Sequence, residues 1–175
     1  MGKRSDFERK PRDFYPTPYE AVVPLVPHLT KTTYHEPCAG NGTLMRHLAR
    51  NGLVCSGAGD IEPDNANHGP TVPYIVTADA TQIQNAVAQF ITNPPWDRPI
   101  LHAIIDNLRV QAPTWLLIDA DWMHTRQAQP YLPFCEKIVS VGRVKWIPGS
   151  KYTGKDNACW YLFGANLSKT IFIGR

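Results

Sequence analysis

Five short β-rich runs, each followed by turn-forming residues, constrain the fold of this chain more than any other feature. They are TTYHEP, LVCSGAGDI, PYIVTADA, AQFITNPP and TWLLIDA. Several are apolar without strict alternation, as expected for parallel strands covered on both faces, and each ends in polar or small residues. Stretches that can form helices lie between them, so we predict an α/β fold with a mostly parallel sheet. A ligand should bind at the carboxyl ends of the strands.

Three segments between or before these runs are predicted to be helical. TLMRHLAR should begin near Thr43, and TPYEAVVPLVPHL should be short or kinked because Pro24 and Pro27 lack a backbone N–H. PILHAIIDNLRV has the period of an amphipathic helix. Its predicted buried stripe comprises Ile100, Ile104, Ile105 and Leu108. After residue 136 the pattern changes, because KIVSVGRVKWI and ACWYLFGA are strand-like with no helix between them. They predict an antiparallel hairpin.

The length of 175 residues suits one ordinary domain. We predict a single domain over residues 13–175, preceded by a flexible basic arm at residues 1–12 that carries five Lys or Arg against two acidic residues. Residues 143–175 are also basic, with six Lys or Arg against one Asp, whereas the middle of the chain is acidic. This division suits a polyanion lying over a pocket that needs carboxylates, although basic ends can also be merely solubilising.

The four cysteines, Cys38, Cys55, Cys135 and Cys159, lie far apart and form no CxxC motif. Neither a zinc site nor a disulfide framework is indicated, so we expect no metal. The amino-terminal residues are polar, and no apolar stretch approaches the ~18 residues that a membrane span needs. These features predict a cytoplasmic protein that does not enter a membrane.

A small-residue turn in HEPCAGNGTL leads from the first predicted strand into a helix. Glycines such as Gly40 and Gly42 let backbone N–H groups approach a ligand closely. A dinucleotide fingerprint would have a third glycine three residues after Gly42, but Met45 stands there, which argues against NAD. Taken alone, the turn is equally compatible with a plain loop.

Two carboxylates follow at the ends of the next two strands. Asp60 ends the strand in GAGDIEP, where a carboxylate can accept both hydroxyls of a ribose, and Ile61 beside it can cover one face of an adenine. Asp79 in TADAT can accept from an adenine amino group. A solvated loop position is the alternative for each carboxylate.

With these motifs in this order, the sequence resembles the class I S-adenosylmethionine-dependent methyltransferases, in particular those that methylate exocyclic amines of DNA bases. DFYPTP, EPCAGNG, DIEP, ADA and NPPW correspond to the family's motifs across most of the chain. The resemblance implies a Rossmann-like fold, five parallel strands with a final antiparallel hairpin, and S-adenosylmethionine as the cofactor. Asp60 would hold the ribose, Ile61 the adenine face and Asp79 with Ala80 the adenine amine. The methionine end would contact Tyr15, Thr17, Glu36, Pro37, Cys38, Ala39, Gly40 and Asn93.

The tetrapeptide Asn93-Pro94-Pro95-Trp96 would be catalytic. An exocyclic amine is a poor nucleophile because its lone pair is delocalised into the ring, and two acceptors on its hydrogens can withdraw it from conjugation. The side-chain oxygen of Asn93 and the carbonyl of Pro94 can play this part, and the two prolines hold both rigid. Trp96 offers a flat face for a flipped base, with an ordinary core tryptophan as the alternative.

Further residues interleave cations with aromatics in two loops that can grip the substrate. They are Trp122 and Arg126 after WLLIDA, where His124 is assigned no role, and Lys151, Tyr152 and Lys155 in the hairpin loop. Solvated loops are an equal alternative. No insertion is large enough for a separate target-recognition domain, so the protein would read a very short site, act with little selectivity, or rely on a protein partner or a homodimer. The leading hypothesis is a DNA adenine-N6 methyltransferase. An RNA adenine or protein glutamine methyltransferase, or a non-catalytic S-adenosylmethionine-binding interaction module, are the alternatives.

Overall fold

The structure, a computed structural model, describes residues 14–66, 72–147, 149, 151 and 153–175. Within these ranges eight strands form one sheet with the order β3-β2-β1-β4-β5-β7-β6-β8. Their bounds are β1 Thr33–Glu36, β2 Val54–Asp60, β3 Ile75–Thr77, β4 Phe90–Thr92, β5 Thr114–Asp119, β6 Cys135–Arg143, β7 Asn157–Phe163 and β8 Ile171–Ile173. The predicted basic arm lies outside the described residues.

The first five strands pair in parallel, and β7 runs antiparallel to both β5 and β6. The predicted mostly parallel sheet with a carboxyl-terminal antiparallel hairpin is therefore confirmed. Because β1 lies next to β4, the chain builds the sheet outward in two directions from this pair. The crevice between the carboxyl ends of such a pair is where open α/β sheets bind ligands. The short β8, parallel to β6, was not predicted, since three residues carry too little pattern.

The described ranges also contain three α-helices, with the bounds α1 Tyr19–Val22, α2 Thr43–Ala49 and α3 Arg98–Arg109. Helix α1 stops after one turn and a short 3-10 helix follows over Val26–His28, so the interruption expected from the prolines is confirmed. Helix α2 begins at Thr43, whose backbone N–H donates to Asn41 Oδ1 over 3.2 Å. In the described part of the chain no helix is long and apolar enough to cross a membrane.

The buried face of α3 is rotated slightly from the predicted one. Its buried residues are Leu101, Ile104, Ile105 and Leu108, whereas Ile100 is 44% exposed. The predicted membership of Ile100 in the core stripe is wrong because the contact face takes the positions i, i+3, i+4 and i+7 counted from Leu101. Ile100 instead faces a cavity described below.

Both faces of the sheet are covered, which explains the nearly continuous apolar strands. Along β5, Trp115 and Leu117 pack in a cluster with α1 and α2, whereas Leu116 and Ile118 pack in a second cluster with α3. This alternation follows from the two-residue period of a strand.

Helix α1 is held against β7. Strands β4 and β5 separate β7 from β1, the strand that follows α1 in the sequence. The buried indole of Trp160 on β7 donates to the Ala21 carbonyl over 2.7 Å, and the backbone N–H of Lys145 donates to Glu20 Oε1 over 2.7 Å. These contacts fix the residues before β1 above the carboxyl ends of the strands.

The rotation of α3 can be tested with two neighbouring substitutions. Leu101→Ala removes a fully buried side chain, so we expect the free energy of unfolding to fall by about 2–5 kcal/mol. Ile100→Ala should change it by less than about 1 kcal/mol, because this side chain is partly in solvent. Urea denaturation measures both, and equal losses would contradict the assignment of the two faces.

Candidate cofactor and substrate site

A cavity of about 490 Å³ lies at the carboxyl ends of β1 to β4. This volume lies within the range of small-molecule and cofactor sites. Most of the predicted cofactor residues come together in its wall. Those that line it are Tyr15, Thr17, Pro37, Cys38, Ala39, Gly40, Asp60, Ile61, Asp79, Ala80 and Asn93.

Gly40 lies where the turn after β1 meets the residues before α1. Its φ is +52°, which L side chains rarely adopt, and a Cβ added there would lie 2.7 Å from Phe14 Cε2. The absence of a side chain at this position therefore lets the Phe14 ring cover the turn. The Gly40 N–H also donates to Asp60 Oδ2 over 2.7 Å, which joins the turn to the end of β2.

The two predicted carboxylates differ in how many of their acceptor sites remain open. Asp60 accepts one backbone N–H on each oxygen, from Gly40 and from Glu62. A carboxylate has about four lone-pair sites, so Asp60 can still accept two hydroxyls. Asp79 accepts the backbone N–H and the hydroxyl of Thr81 on Oδ1 and the Gln82 amide on Oδ2, so it holds its own turn and has less capacity left.

Among the described residues, the charged side chains in the cavity wall are all acidic. Five carboxylates line it, and none of the described residues in its wall is Lys, Arg or His. They are Asp60, Glu62, Asp64, Asp79 and Asp97. Such a wall favours a ligand with positive charge and opposes the phosphates of a nucleotide.

Glu36 lies behind the turn and does not line the cavity. It is fully buried, its Oε1 accepts from the Cys38 N–H over 3.4 Å, and its Oε2 has no hydrogen-bond partner among the described residues. Burial raises the pKa of Glu36 well above its ordinary value, although the hydrogen bond from the Cys38 backbone opposes the shift. Burial likewise raises the pKa of the Cys38 thiol, so this cysteine is not a thiolate nucleophile.

The tetrapeptide Asn93-Pro94-Pro95-Trp96 follows directly after β4. Asn93 and Pro95 line the cavity, whereas Pro94 is buried and Trp96 lies outside it. Asn93 Nδ2 donates to the Tyr15 carbonyl over 3.4 Å, so its Oδ1 is the end of the amide that is left to accept from a ligand. The Trp96 indole is half-buried, and its Nε1 donates to the Leu117 carbonyl over 3.0 Å.

The predicted substrate-gripping residues are placed less uniformly. Trp122 is completely buried and its Nε1 donates to His102 Nε2, so its predicted contact with a substrate is wrong. The 3-10 helix Ala120–His124 turns this large apolar ring into the α3 cluster. His124, Arg126, Lys151 and Lys155 are exposed, whereas Tyr152 lies outside the described residues.

Several wall residues were not predicted from the sequence. They are Phe14, Pro16, Asn41, Thr43, Leu44, Glu62, Asp64, Ala78, Thr81, Asp97, Ile100 and Ile104. For Asp97 a signal existed, because an Asp before a proline-containing helix start is a common N-cap, and its side chain accepts from the Ile100 N–H. No group of three or more His, Cys, Asp or Glu side chains able to hold a metal occurs among the described residues.

The contact between Phe14 and Gly40 can be tested by a double-mutant cycle. Gly40→Ala should lower the free energy of unfolding by more than the ~1–2 kcal/mol of left-handed strain, because the new methyl also meets the Phe14 ring. In a Phe14→Ala background only the strain should remain. Equal losses in both backgrounds, measured by urea denaturation, would show that the ring does not cover the glycine.

Comparisons of sequence and of structure show which known proteins this chain resembles. No protein-family model matches the chain, and no curated protein sequence matches it either. Solved structures do match. The 23S rRNA methyltransferase ErmE is 18% identical with a TM-score of 0.56, and the match covers 85% of this chain and 68% of that one.

Two further matches have comparable scores. A dimethyladenosine transferase from Plasmodium falciparum is 13% identical with a TM-score of 0.55, over 86% of this chain and 62% of that one. A chain of a type I R-M system is 15% identical with a TM-score of 0.60, over 95% of this chain and 46% of that one. At these identities the likeness concerns the fold alone. The chain has the Rossmann-like fold of the class I methyltransferases.

Proposed function

We propose that this chain is an S-adenosylmethionine-dependent methyltransferase that acts on an exocyclic amine, the N6 of adenine in DNA. The observation that carries the proposal is the position of Asn93. Its side chain lines an acidic cavity, its amide N–H is engaged by the Tyr15 carbonyl, and its amide oxygen is left for a ligand.

The cavity suits S-adenosylmethionine by charge and by shape. This cofactor has a positive sulfonium and an ammonium group, which five carboxylates and no basic side chain in the described wall would favour. Asp60 would accept the ribose hydroxyls, and the half-exposed Ile61 would cover the adenine. Glu36, buried behind the turn and outside the cavity wall, would act on the methionine end through the turn, whose Cys38 N–H it accepts.

When bound, S-adenosylmethionine supplies an electrophilic methyl group. The chain's own part is to orient the amine and to exclude water. Asn93 Oδ1 and the Pro94 carbonyl accept the two N–H bonds of the amine, so that its lone pair leaves conjugation with the ring. Neither proline has an N–H that could tie the segment into a helix or sheet, so both acceptors stay available. In-line positioning then accounts for most of the rate.

DNA as the substrate is supported by the NPPW tetrapeptide, which resembles that of methyltransferases acting on DNA-base amines. The names of the matched structures point to nucleic acids, an rRNA methyltransferase and a type I R-M system. Lys151 and Lys155 are exposed on the hairpin loop and would contact phosphates.

The substrate class is tested by incubating the chain with labelled S-adenosylmethionine and a mixture of DNA, RNA and protein. We expect label in DNA, at the N6 of adenine. Asn93→Ala should lower kcat about 10²–10³-fold, because one of two acceptors on the amine is lost.

Asp60→Ala is the matched control for this assay, since it should weaken cofactor binding measured by calorimetry far more than Asn93→Ala does. Label in RNA or in protein glutamine alone would replace the substrate. Cofactor binding without transfer to any acceptor would favour an interaction module.

The hairpin cations are tested through the salt dependence of DNA binding. Replacing both Lys151 and Lys155 with Ala should reduce the slope of log K against log salt by roughly 1.4–1.8, since each phosphate contact contributes about 0.7–0.9. Lys31→Ala is the control, because Lys31 is exposed beside the amino end of β1, at the opposite edge of the sheet. An unchanged slope in the double variant would remove these lysines from the interface.

A further inference from the structure

Trp96 is held in one orientation by the sheet beneath it. Its Nε1 donates to the carbonyl of Leu117 on β5, and its ring packs against the cluster that covers this face. The ring is half-buried and lies outside the cofactor cavity, whereas its neighbour Pro95 lines that cavity. The indole therefore lies beside the cavity, next to the residues that would hold the amine.

A second indole contacts Trp96 from the β6–β7 loop, which spans residues 144–156. The ring centroids of Trp96 and Trp146 are 5.7 Å apart and the planes are perpendicular, at 90°. Trp146 is also only half-buried. Two large flat rings thus meet at a right angle, with part of each accessible to solvent.

The loop that presents Trp146 is fastened at several points. The Gly154 N–H donates to the Val144 carbonyl over 2.8 Å, and the Lys145 N–H donates to Glu20 Oε1 over 2.7 Å. A Cβ at Gly154 would lie 3.1 Å from Trp146 Cδ1, so the glycine lets the indole lie directly on the loop backbone. The position of Trp146 is therefore built into the loop.

We propose that Trp146 is the second wall of the target-base site and determines, with Trp96, how the base is oriented. This inference rests on the proposed function. A planar base parallel to one of two perpendicular indoles presents its edge to the other. Aromatic faces are electron-rich and ring edges electron-poor, so the pair can hold one ring by its face and by its edge. Stacking alone would tolerate rotation of the base in its plane, and the perpendicular wall restricts that rotation.

The charge of the loop fits the same ligand. Lys145, Lys151 and Lys155 are exposed on it, and Asp156 is its only acidic residue. One loop would thus contact the phosphates of a strand and the base that leaves it. The cofactor cavity has the opposite charge and does not include Trp146.

The test compares Trp146→Ala, Trp146→Phe and Ile147→Ala in the full chain, with DNA as acceptor. Trp146→Ala should raise the KM for DNA ~5- to 150-fold, the range measured for loss of one base-stacking aromatic. The cofactor Kd from calorimetry should stay within twofold. Trp146→Phe should recover most of the loss, because it keeps a flat ring. Ile147→Ala, at the neighbouring exposed position, should behave as the wild type.

Other results would contradict either the role of Trp146 in the base site or the proposed function. A KM for DNA that is unchanged in Trp146→Ala overturns the second wall while the proposed function stands. A parallel loss of cofactor affinity, or no recovery in Trp146→Phe, shows that Trp146 serves only the packing of the loop and overturns it too. No transfer by the wild-type chain to DNA, RNA or protein overturns the proposed function, and the base site with it.

Discussion

Three segments of the chain meet at Gly40, and the cavity depends on that meeting. The left-handed turn after β1 gives its N–H to Asp60 at the end of β2, and the absence of a side chain lets Phe14 lie against it. From Phe14 the chain continues to Tyr15, whose carbonyl accepts from Asn93 after β4. The turn, the two strand ends and the segment before α1 are thereby linked around one volume. A larger residue at position 40 would have to displace the Phe14 ring from this turn.

The sequence was most informative where parallel strands end, because their carboxyl ends must meet at one edge of the sheet. Asp60, Asp79 and Asn93 were predicted to lie at this edge, and all three line the cavity. It was misleading for Trp122, where an aromatic among polar residues suggested a contact surface, because nothing local indicates that a 3-10 helix turns the indole inward. The contact of Tyr15 with Asn93 joins residues 78 positions apart, so only the tertiary structure could supply it.

The candidate site has two parts that differ in chemistry. On one side, carboxylates line a cavity that suits a cationic small molecule. On the other, two indoles meet at a right angle, Trp96 after β4 and Trp146 in the β6–β7 loop, and exposed lysines lie on that loop. Asn93-Pro94-Pro95 lies between them. Because Lys145 and Glu20 join the loop to α1, both halves are also connected through the first residues of the described chain. A disturbance of α1 would therefore reach the acidic cavity and the indole pair together.

On the proposed function, the acidic wall would discriminate between two ligands of nearly the same shape. Methyl transfer converts a sulfonium into an uncharged thioether, so the ligand that remains has one positive charge fewer. Each carboxylate about 4 Å from the lost charge would forgo about 1 kcal/mol of attraction in a water-filled site, and more in a drier one. On the proposed function, the carboxylates nearest the sulfonium would thus hold the spent cofactor less strongly than the charged one. Loss of the positive charge would therefore favour release of the product from the cavity.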